Sequence, residues 1–556
     1  MGELKLLSLT PVTKVFLDEP VREADARERF EGFQNETISF QLAFCGTLET
    51  ARKCVYLEAA SPLKEHLRIR AVQSVPVHLA TLPDADDNYL RKTPGLYPDL
   101  LRDQKPGDRM GSMRVQPGQW HAYFIDVEPD GACAPGEYPV ELRLRDANEE
   151  AVYATAAVTV RILPGMLPAQ KLIRTHWFHC DCLAHYYHVP VFSEEHWRLL
   201  ENFVRLAVRR GCTMLLTPLF TPPLDTAKGG ERTTVQLVDV RAENGAYSFG
   251  FERLERWVEM CERCGVTYYE LSHLFSQWGA VAAPKIVATV DGEEKKLFGW
   301  HTDARGAEYA AFLKAFLTAL MKELHRLQIA DRAYFHISDE PVLEQLEDYR
   351  HAKSLVTPYI EGRPIVDALS DFAFYQTGAV EKPIVSINHM APFLEAEVPG
   401  LWTYYCIGQY KDVSNMFMAM PSQRNRILGV MLYKYDIVGF LQWGYNFWNA
   451  QHSTHPINPW VSTDCDGFTP AGDAFQVYPG PDGAPVESLR MMVTAQALYD
   501  LRAFRLLESL RGRDFVMALI EGDVGEITFT DYPRDAAYLP ALREKVNAEI
   551  ARALGT

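Results

Sequence analysis

Two adjacent carboxylates, Asp339 and Glu340, lie in the stretch DRAYFHISDEP at residues 331–341. Residues 334–337 have the make-up of a short strand, and Pro341 lacks the backbone donor that strand pairing needs. The pair is therefore expected at the C-terminal end of a strand, just before a helix starting near Val342. In a parallel α/β protein, substrates bind at that end. Neighbouring carboxylates disfavour double ionisation, so one can keep a proton near neutral pH, as a general acid must. The plainer expectation is that Asp339 caps the helix and Glu340 is solvated. What separates the two is the company other strand ends bring to the same place.

From Lys171 onward the pattern alternates strand with helix. Apolar runs predict strands at 173–180, 213–220, 268–275, 334–337, 364–370, 383–389, 401–407 and 439–448. Helices are expected between them. Ser193 precedes Glu194 and Glu195, and Arg209, Arg210 and Gly211 close the same helix, which is the pattern of a capped helix. Further helices are predicted over 251–264, 307–328 and 421–437. Eight such units imply a (β/α)8 TIM-type barrel over 171–510, an α/β fold. Two insertions, 221–250 and 276–305, follow strands two and three on the side where barrel active sites are built.

Ahead of the barrel, residues 1–165 read as an all-β sandwich. Half-buried strands are predicted at 38–44, 121–127, 138–144 and 156–162, with 163–170 as linker. The segment 84–110 is long and carries Tyr89, Tyr97 and Asp99. It is expected to lean on the barrel mouth and help close the pocket. Residues 511–556 form a short helical C-terminal tail with a helix over 538–554.

Several strand ends carry polar or aromatic side chains. Strand one supplies His179 and Asp181, and the loop after strand two supplies Asp225. Strand three ends in His273, followed by Gln277 and Trp278. His336 precedes the carboxylate pair. Strand seven offers Trp402, Tyr404 and Tyr405, and strand eight offers Trp443, Tyr445 and Trp448. Each alone reads as core. Together around two carboxylates they suit a sugar, whose apolar faces stack on rings and whose hydroxyls need fixed donors and acceptors. The strand-one cluster His176, His179, Cys180, Asp181, Cys182, His185 and His188 matches no closed zinc spacing, and strand alternation would send half of it away from any one ion. No metal or cofactor is expected. Cys261 and Cys264 read as structural.

The motifs YFHISDEP (334–341), RILGVMLYKYDIVGFLQWGYNFWN (426–449), GDAFQVYPG (472–480) and PVESLR (485–490) resemble those of family-123 glycoside hydrolases and the bacterial proteins that share their catalytic domain. The resemblance covers most of the chain. It implies an exo-acting retaining β-N-acetylhexosaminidase, N-acetylgalactosaminidase-like, with substrate-assisted chemistry. The 2-acetamido oxygen of the sugar attacks the anomeric carbon to form an oxazoline. By motif position Glu340 becomes the general acid/base and Asp339 the residue that orients the acetamido group. A Tyr bonding the acetamido oxygen is implied, with Tyr404, Tyr405 and Tyr445 as candidates. Two alternatives stand beside it. One is a glycosidase for a sugar without the acetamido group, pairing Glu340 with Glu270 or Asp367 at about 5–5.5 Å if retaining. The other is a non-catalytic carbohydrate-binding protein.

The 556 residues carry a formal net charge of -17. Such acidity disfavours nucleic acid and anionic membrane surfaces as partners. An oligosaccharide or glycoconjugate is the expected partner. The first twenty residues hold no long apolar run, and no stretch reaches the length of a membrane span, so a cytoplasmic location with reduced cysteines is expected.

Overall fold

The computed structural model describes residues 4–104, 112–149 and 151–555. Its N-terminal part holds two five-stranded sheets. One contains Leu6–Leu9, Ile38–Cys45, Leu67–Val77, Gly95–Asp103 and Trp120–Val127. The other contains Arg29–Phe33, Cys54–Ala60, Met113–Arg114, Gly136–Asp146 and Val152–Leu163. Period-2 alternation aims Phe40, Leu42 and Phe44 from the first and Val140, Leu142 and Leu144 from the second into one buried layer. Ile38–Cys45 is buried on its other face too. There Ala43, with Phe124 of Trp120–Val127, packs on Leu489 and Met492 of the helix Leu489–Arg511. A strand covered on both sides is apolar with little alternation, as ISFQLAF is.

The second part is an eight-stranded parallel sheet. In chain order its strands are β1 (Ile173–His176), β2 (Met214–Thr217), β3 (Tyr268–Leu271), β4 (Ala333–Tyr334), β5 (Val366–Leu369), β6 (Lys382–Ser386), β7 (Trp402–Tyr405) and β8 (Gly439–Gln442). Neighbours run β4-β3-β2-β1-β8-β7-β6-β5. A parallel bridge between Phe335 and Ile365 brings β4 back beside β5, so the ring is nearly closed. Inward side chains Met214, Leu216, Val366, Ala368, Ile384, Trp402 and Leu441 fill the interior.

The flanking helices follow their expected signals. Glu194–Arg209 begins at Ser193, whose hydroxyl accepts the His196 N–H, and Gly211 follows with φ 93°. Glu252–Cys264 ends on Gly265, and Ala307–Arg326 buries Phe312, Phe316, Leu320 and Leu324. One expectation fails. The helix predicted over 421–437 is two pieces, Ser422–Arg426 and Leu428–Lys434. Gly429 lies against the Ala497 backbone, where a Cβ would stand 2.2 Å from the carbonyl oxygen.

The two insertions pair with each other. Asp239–Glu243 and Ala246–Gly250 from the first join Ile286–Val290 and Glu293–Phe298 from the second in one four-stranded sheet. The segment 84–110 differs from its expected form. Gly95–Asp103 is a regular strand, and residues 105–110 lie outside the described residues. Residues 84–92 do reach the barrel loops. Asp86 pairs with Arg424 at 2.7 Å, and the Tyr89 hydroxyl donates to the Tyr410 carbonyl at 2.7 Å.

The C-terminal helix Tyr538–Ala553 packs back through Arg543, which reaches Asp500 at 3.0 Å and also pairs with Glu36. All ten cysteines are free. Among the described residues, no helix is long and apolar enough to cross a membrane.

Candidate active site

The chain leaves β4 at Tyr334 and is held at each step. The Ile337 N–H donates to the Asp367 carboxylate, and the Ser338 hydroxyl to the Ser276 carbonyl at 2.8 Å. The Asp339 carbonyl accepts the Trp278 N–H at 2.9 Å. Glu340 then takes a left-handed conformation, φ 43°, uncommon for a side chain of its size. The next helix starts only at Leu343–Gln345 and continues as Leu346–Val356. Asp339 therefore caps nothing. Gln345 satisfies the Val342 N–H and the Trp278 carbonyl instead.

Asp339 and Glu340 face a cavity of about 160 Å³ at the C-terminal ends of the barrel strands. Its walls are Trp177 after β1, Leu224 and Asp225 after β2, Gln277 and Trp278 after β3, Ala368 on β5, Tyr404, Cys406 and Ile407 at β7, Leu441 and Trp443 at β8, and Phe468 beyond. The surface is mostly apolar, with the Asp339–Glu340 pair at one place and Asp225 on another loop. Trp278 is 42% exposed at its mouth. Trp278 (φ 58°) and Asp225 (φ 40°) share the left-handed backbone of Glu340. Three strained positions on three loops meet in one cavity.

Burial pushes the Asp339 carboxyl well above its ordinary value, the Glu340 charge adds, and the His336 charge opposes. Burial also raises Glu340, against the hydrogen bond that the Tyr404 hydroxyl donates to it at 2.6 Å. Both shifts favour a proton shared between the two neighbouring carboxyls.

Beneath them lies a buried charge cluster. His336 donates Nε2 to Glu270 at 2.7 Å and Nδ1 to Asp367 at 2.9 Å. Burial lowers its basicity, but these two carboxylates outweigh that and push it up to about 10. Glu270 also collects the Trp177 indole N–H (2.8 Å) and the Thr175 hydroxyl, and Asp367 collects the Tyr349 hydroxyl. Glu270 and Asp367 are thus fully buried and turned onto His336, away from the cavity. His273, His336 and Asp367 offer ligand atoms within 4.8 Å of one another. Both His336 nitrogens are already donated, however, so this group suits an ion pair better than a metal.

Of the residues expected to contact substrate, Asp225, Gln277, Trp278, Tyr404 and Trp443 line the cavity with Asp339 and Glu340. The others do not. Trp402 points inward one layer lower, over Gly439, where a Cβ would lie 1.9 Å from its ring. Tyr405 faces outward onto Phe440, as strand alternation requires beside an inward Tyr404. The Tyr445 hydroxyl donates to the Phe203 carbonyl, and the Trp448 indole to the Val477 carbonyl. His273 is buried, stacked on His336 with ring centroids 4.2 Å apart, and its two nitrogens have no partner among the described residues. His336 belongs to the cluster below the site. Asp181 pairs with Arg232 at 2.7 Å, and His179 takes a second Arg232 N–H and contacts the Trp443 carbonyl. These two buttress the wall from behind. None of the described residues 84–104 lines the cavity; residues 84–92 brace the barrel loops at Tyr410 and Arg424.

Trp177, Leu224, Ala368, Cys406, Ile407, Leu441 and Phe468 were missed as walls. Period-2 alternation at β5 and β8 carries the signal for Ala368 and Leu441. Phe468 comes from an irregular loop with no such signal.

A nearly closed eight-stranded barrel with a buried carboxylate pair in an aromatic pocket at its strand ends has the make-up of a barrel enzyme acting on sugars. The chain belongs to glycoside hydrolase family 123: residues 177–507 match the description "Glycoside hydrolase 123, catalytic domain". A family 123 glycoside hydrolase from Clostridium perfringens, described for glycolipid glycan hydrolysis, superposes with a TM-score of 0.75 over 99% of each chain at 14% identity. The β-glucuronidase 2 of Bacteroides uniformis covers 81% of this chain and 47% of its own at 10% identity, with a TM-score of 0.31. The β-glucuronidase of Ruminococcus gnavus covers 80% and 90% at 8% identity, with a TM-score of 0.27. Likenesses as loose as these last two support nothing further. No curated protein sequence matches.

Proposed function

We propose that this glycosidase removes a terminal β-linked N-acetylhexosamine, N-acetylgalactosamine being the leading candidate, by substrate-assisted catalysis. The observation that carries the reading is the placing of carboxylates. Glu270 and Asp367, which a two-carboxylate mechanism would draw on, are turned onto His336 and away from the cavity. Apart from Asp225, the cavity presents two sequence neighbours, and neighbours do not flank a sugar. An internal nucleophile from the substrate removes the need for a second carboxylate across the ring.

In this reading an acetamido N–H donated to Asp339 favours its charged form, and the shared proton settles on Glu340. Glu340 then protonates the leaving oxygen as the acetamido oxygen closes on the anomeric carbon. Water, deprotonated by Glu340, reopens the oxazoline. Of the three candidate tyrosines only Tyr404 faces the cavity, and it is the one proposed for the acetamido oxygen, its single hydroxyl proton turning from Glu340 to the substrate once Glu340 is protonated. Exo action on a terminal sugar is part of the same proposal, with the cavity of about 160 Å³ opening to solvent at Trp278. The glycan of a glycolipid, as for the Clostridium perfringens enzyme, or of another glycoconjugate or oligosaccharide, is the proposed substrate class.

A second reading has one observation in its favour. Asp225 also lines the cavity, so Glu340 with Asp225 could serve a sugar lacking the acetamido group. Nitrophenyl β-glycosides with and without a 2-acetamido group separate the two. Cleavage confined to the acetamido sugars, with inhibition by the matching thiazoline, is the expected result. Equal or better cleavage of the plain glycosides overturns substrate assistance.

A further inference from the structure

Behind Trp443 lies a third carboxyl group with no role so far. Asp473 is fully buried. Its Oδ2 accepts the Trp443 indole N–H at 3.0 Å, and its backbone carbonyl accepts the Gln442 side-chain amide at 2.8 Å. Among the described residues its Oδ1 makes no hydrogen bond of ordinary geometry, the Ile407 backbone N–H being the donor beside the carboxylate. A fully buried carboxyl with a single side-chain bond costs stability, and such a cost persists where the group serves the site. That bond runs to a ring that forms one wall of the cavity. The turn carrying Asp473 is itself anchored. Arg490 donates to the Gly472 and Phe475 carbonyls on either side of it, at 2.5 and 2.7 Å.

We propose that Asp473 is the positioning residue of the aromatic wall: its carboxylate fixes the plane of the Trp443 indole and so sets the face on which the substrate sugar rests. The sugar-binding half of this statement rests on the proposed function; the Asp473–Trp443 coupling does not. Asp473 never touches substrate and acts through Trp443. The charged and titratable groups around it are Glu340 after β4, Tyr405 and Cys406 at β7, Cys465 in the preceding loop and Arg490 on Leu489–Arg511. Burial, with the Glu340 charge adding, pushes its carboxyl up to about 7 against the Trp443 bond and the Arg490 charge. The indole bond is therefore charge-assisted above neutrality and weaker below it.

The test uses the full chain labelled with 15N-tryptophan. One of the ten indole signals is assigned to Trp443 by its loss in Trp443→Phe. In the wild type that signal should move with pH around 7, and Asp473→Asn should abolish the movement. A Trp443 signal indifferent to Asp473→Asn overturns the proposal whether or not any glycoside is turned over. Kinetics on a cleaved nitrophenyl glycoside form the second arm. Asp473→Ala should raise KM by about ten-fold, the scale of one lost hydrogen bond to a charged group, with a smaller change in kcat. Asp473→Asn, whose amide oxygen can accept the same bond, should restore most of it. Asp473→Ala should add little to Trp443→Phe. Additive losses refute the coupling. Should Asp473→Ala not fold, the Asp473→Asn and Trp443→Phe comparison decides alone. If no glycoside is cleaved, the substrate reading fails while the indole titration still judges Asp473.

Discussion

Asp339→Asn and Glu340→Gln should fail in different ways. Burial already favours the neutral form of both carboxyls, so an amide of the same shape fits each place without collapse. The amide that Glu340→Gln introduces also keeps an oxygen for the Tyr404 hydroxyl, which lies 2.6 Å from the native carboxylate. Loss of activity can then be read as chemistry. General acid catalysis is worth roughly 10²–10⁴-fold, about 3–5 kcal/mol of barrier. It matters most when the leaving group is a poor one such as another sugar. Glu340→Gln should therefore lose about 10²–10⁴-fold on an oligosaccharide but within about ten-fold on a nitrophenyl glycoside in the first step. Asp339→Asn should lose heavily on both, because the internal nucleophile is needed whatever leaves. Single-turnover rates isolate this step from the second, in which Glu340 acts as base. If the better leaving group rescues Asp339→Asn and not Glu340→Gln, the roles are reversed. If both variants keep near wild-type rates, the pair is not catalytic.

His336→Gln should cost about 3–5 kcal/mol in denaturant unfolding at pH 6, because it leaves Glu270 and Asp367 buried without their cation. The folded pKa of His336, about 10, lies above its ordinary 6.5, so its contribution is full below about pH 6.5 and is lost as pH rises toward 10. The gap between wild type and variant should narrow over that window, and a gap that widens with pH refutes the imidazolium assignment. Trp177→Phe keeps the cavity floor apolar but removes the 2.8 Å bond to Glu270. It should cost about 1.5–3 kcal/mol in thermal unfolding and raise KM; an unchanged melting temperature would show that Glu270 does not need that donor.

Much of the barrel could be read because its strands are buried on both sides and appear as apolar runs. The eight observed strands fall within or beside the eight predicted runs. The site was legible only in part, for physical reasons. An ionisable residue at a strand end looks the same in sequence whether it faces a ligand or a neighbouring strand. Glu270, His336 and Asp367 are such residues, and they satisfy one another. Tyr404 and Tyr405 could have been separated by alternation, since only one of two consecutive strand residues can face the interior. Tyr445 and Trp448 follow the end of β8, where no period applies. Asp181 looked like a ligand contact because its partner Arg232 comes from an insertion 51 residues away. Asp473 stood within a quoted motif, but nothing local says that its carboxyl meets an indole 30 residues earlier.

The N-terminal sheets bear on whether the barrel can stand alone. Glu487, in the short strand Pro485–Glu487, is fully buried and takes Arg210 from the barrel side at 2.5 Å and Arg70 from the sheet side at 2.6 Å, with Arg68 beside them. Burial would raise its carboxyl, but Arg70, Arg210 and Arg68 outweigh this and hold it well below its ordinary 4.5. A second pair crosses the same seam, where Arg490 grips Asp99 at 2.9 Å and the Tyr478 hydroxyl donates to the same carboxylate. Phe33, Val75, Val77, Tyr97 and Leu100 of the sheets share one buried cluster with barrel residues. Expressing residues 171–556 alone would strand Arg490 without Asp99 and leave Glu487 with one of its arginines. Each broken buried pair costs about 3–5 kcal/mol, and a folded domain has only about 5–15 kcal/mol to lose. The isolated barrel should therefore fail to unfold cooperatively and should have no activity. In the full chain the Glu487 contribution is present above about pH 4.5 and lost as pH falls below it, so acid should loosen this seam. An isolated barrel that unfolds cooperatively and turns over substrate at the full-length rate would show that the seam is dispensable.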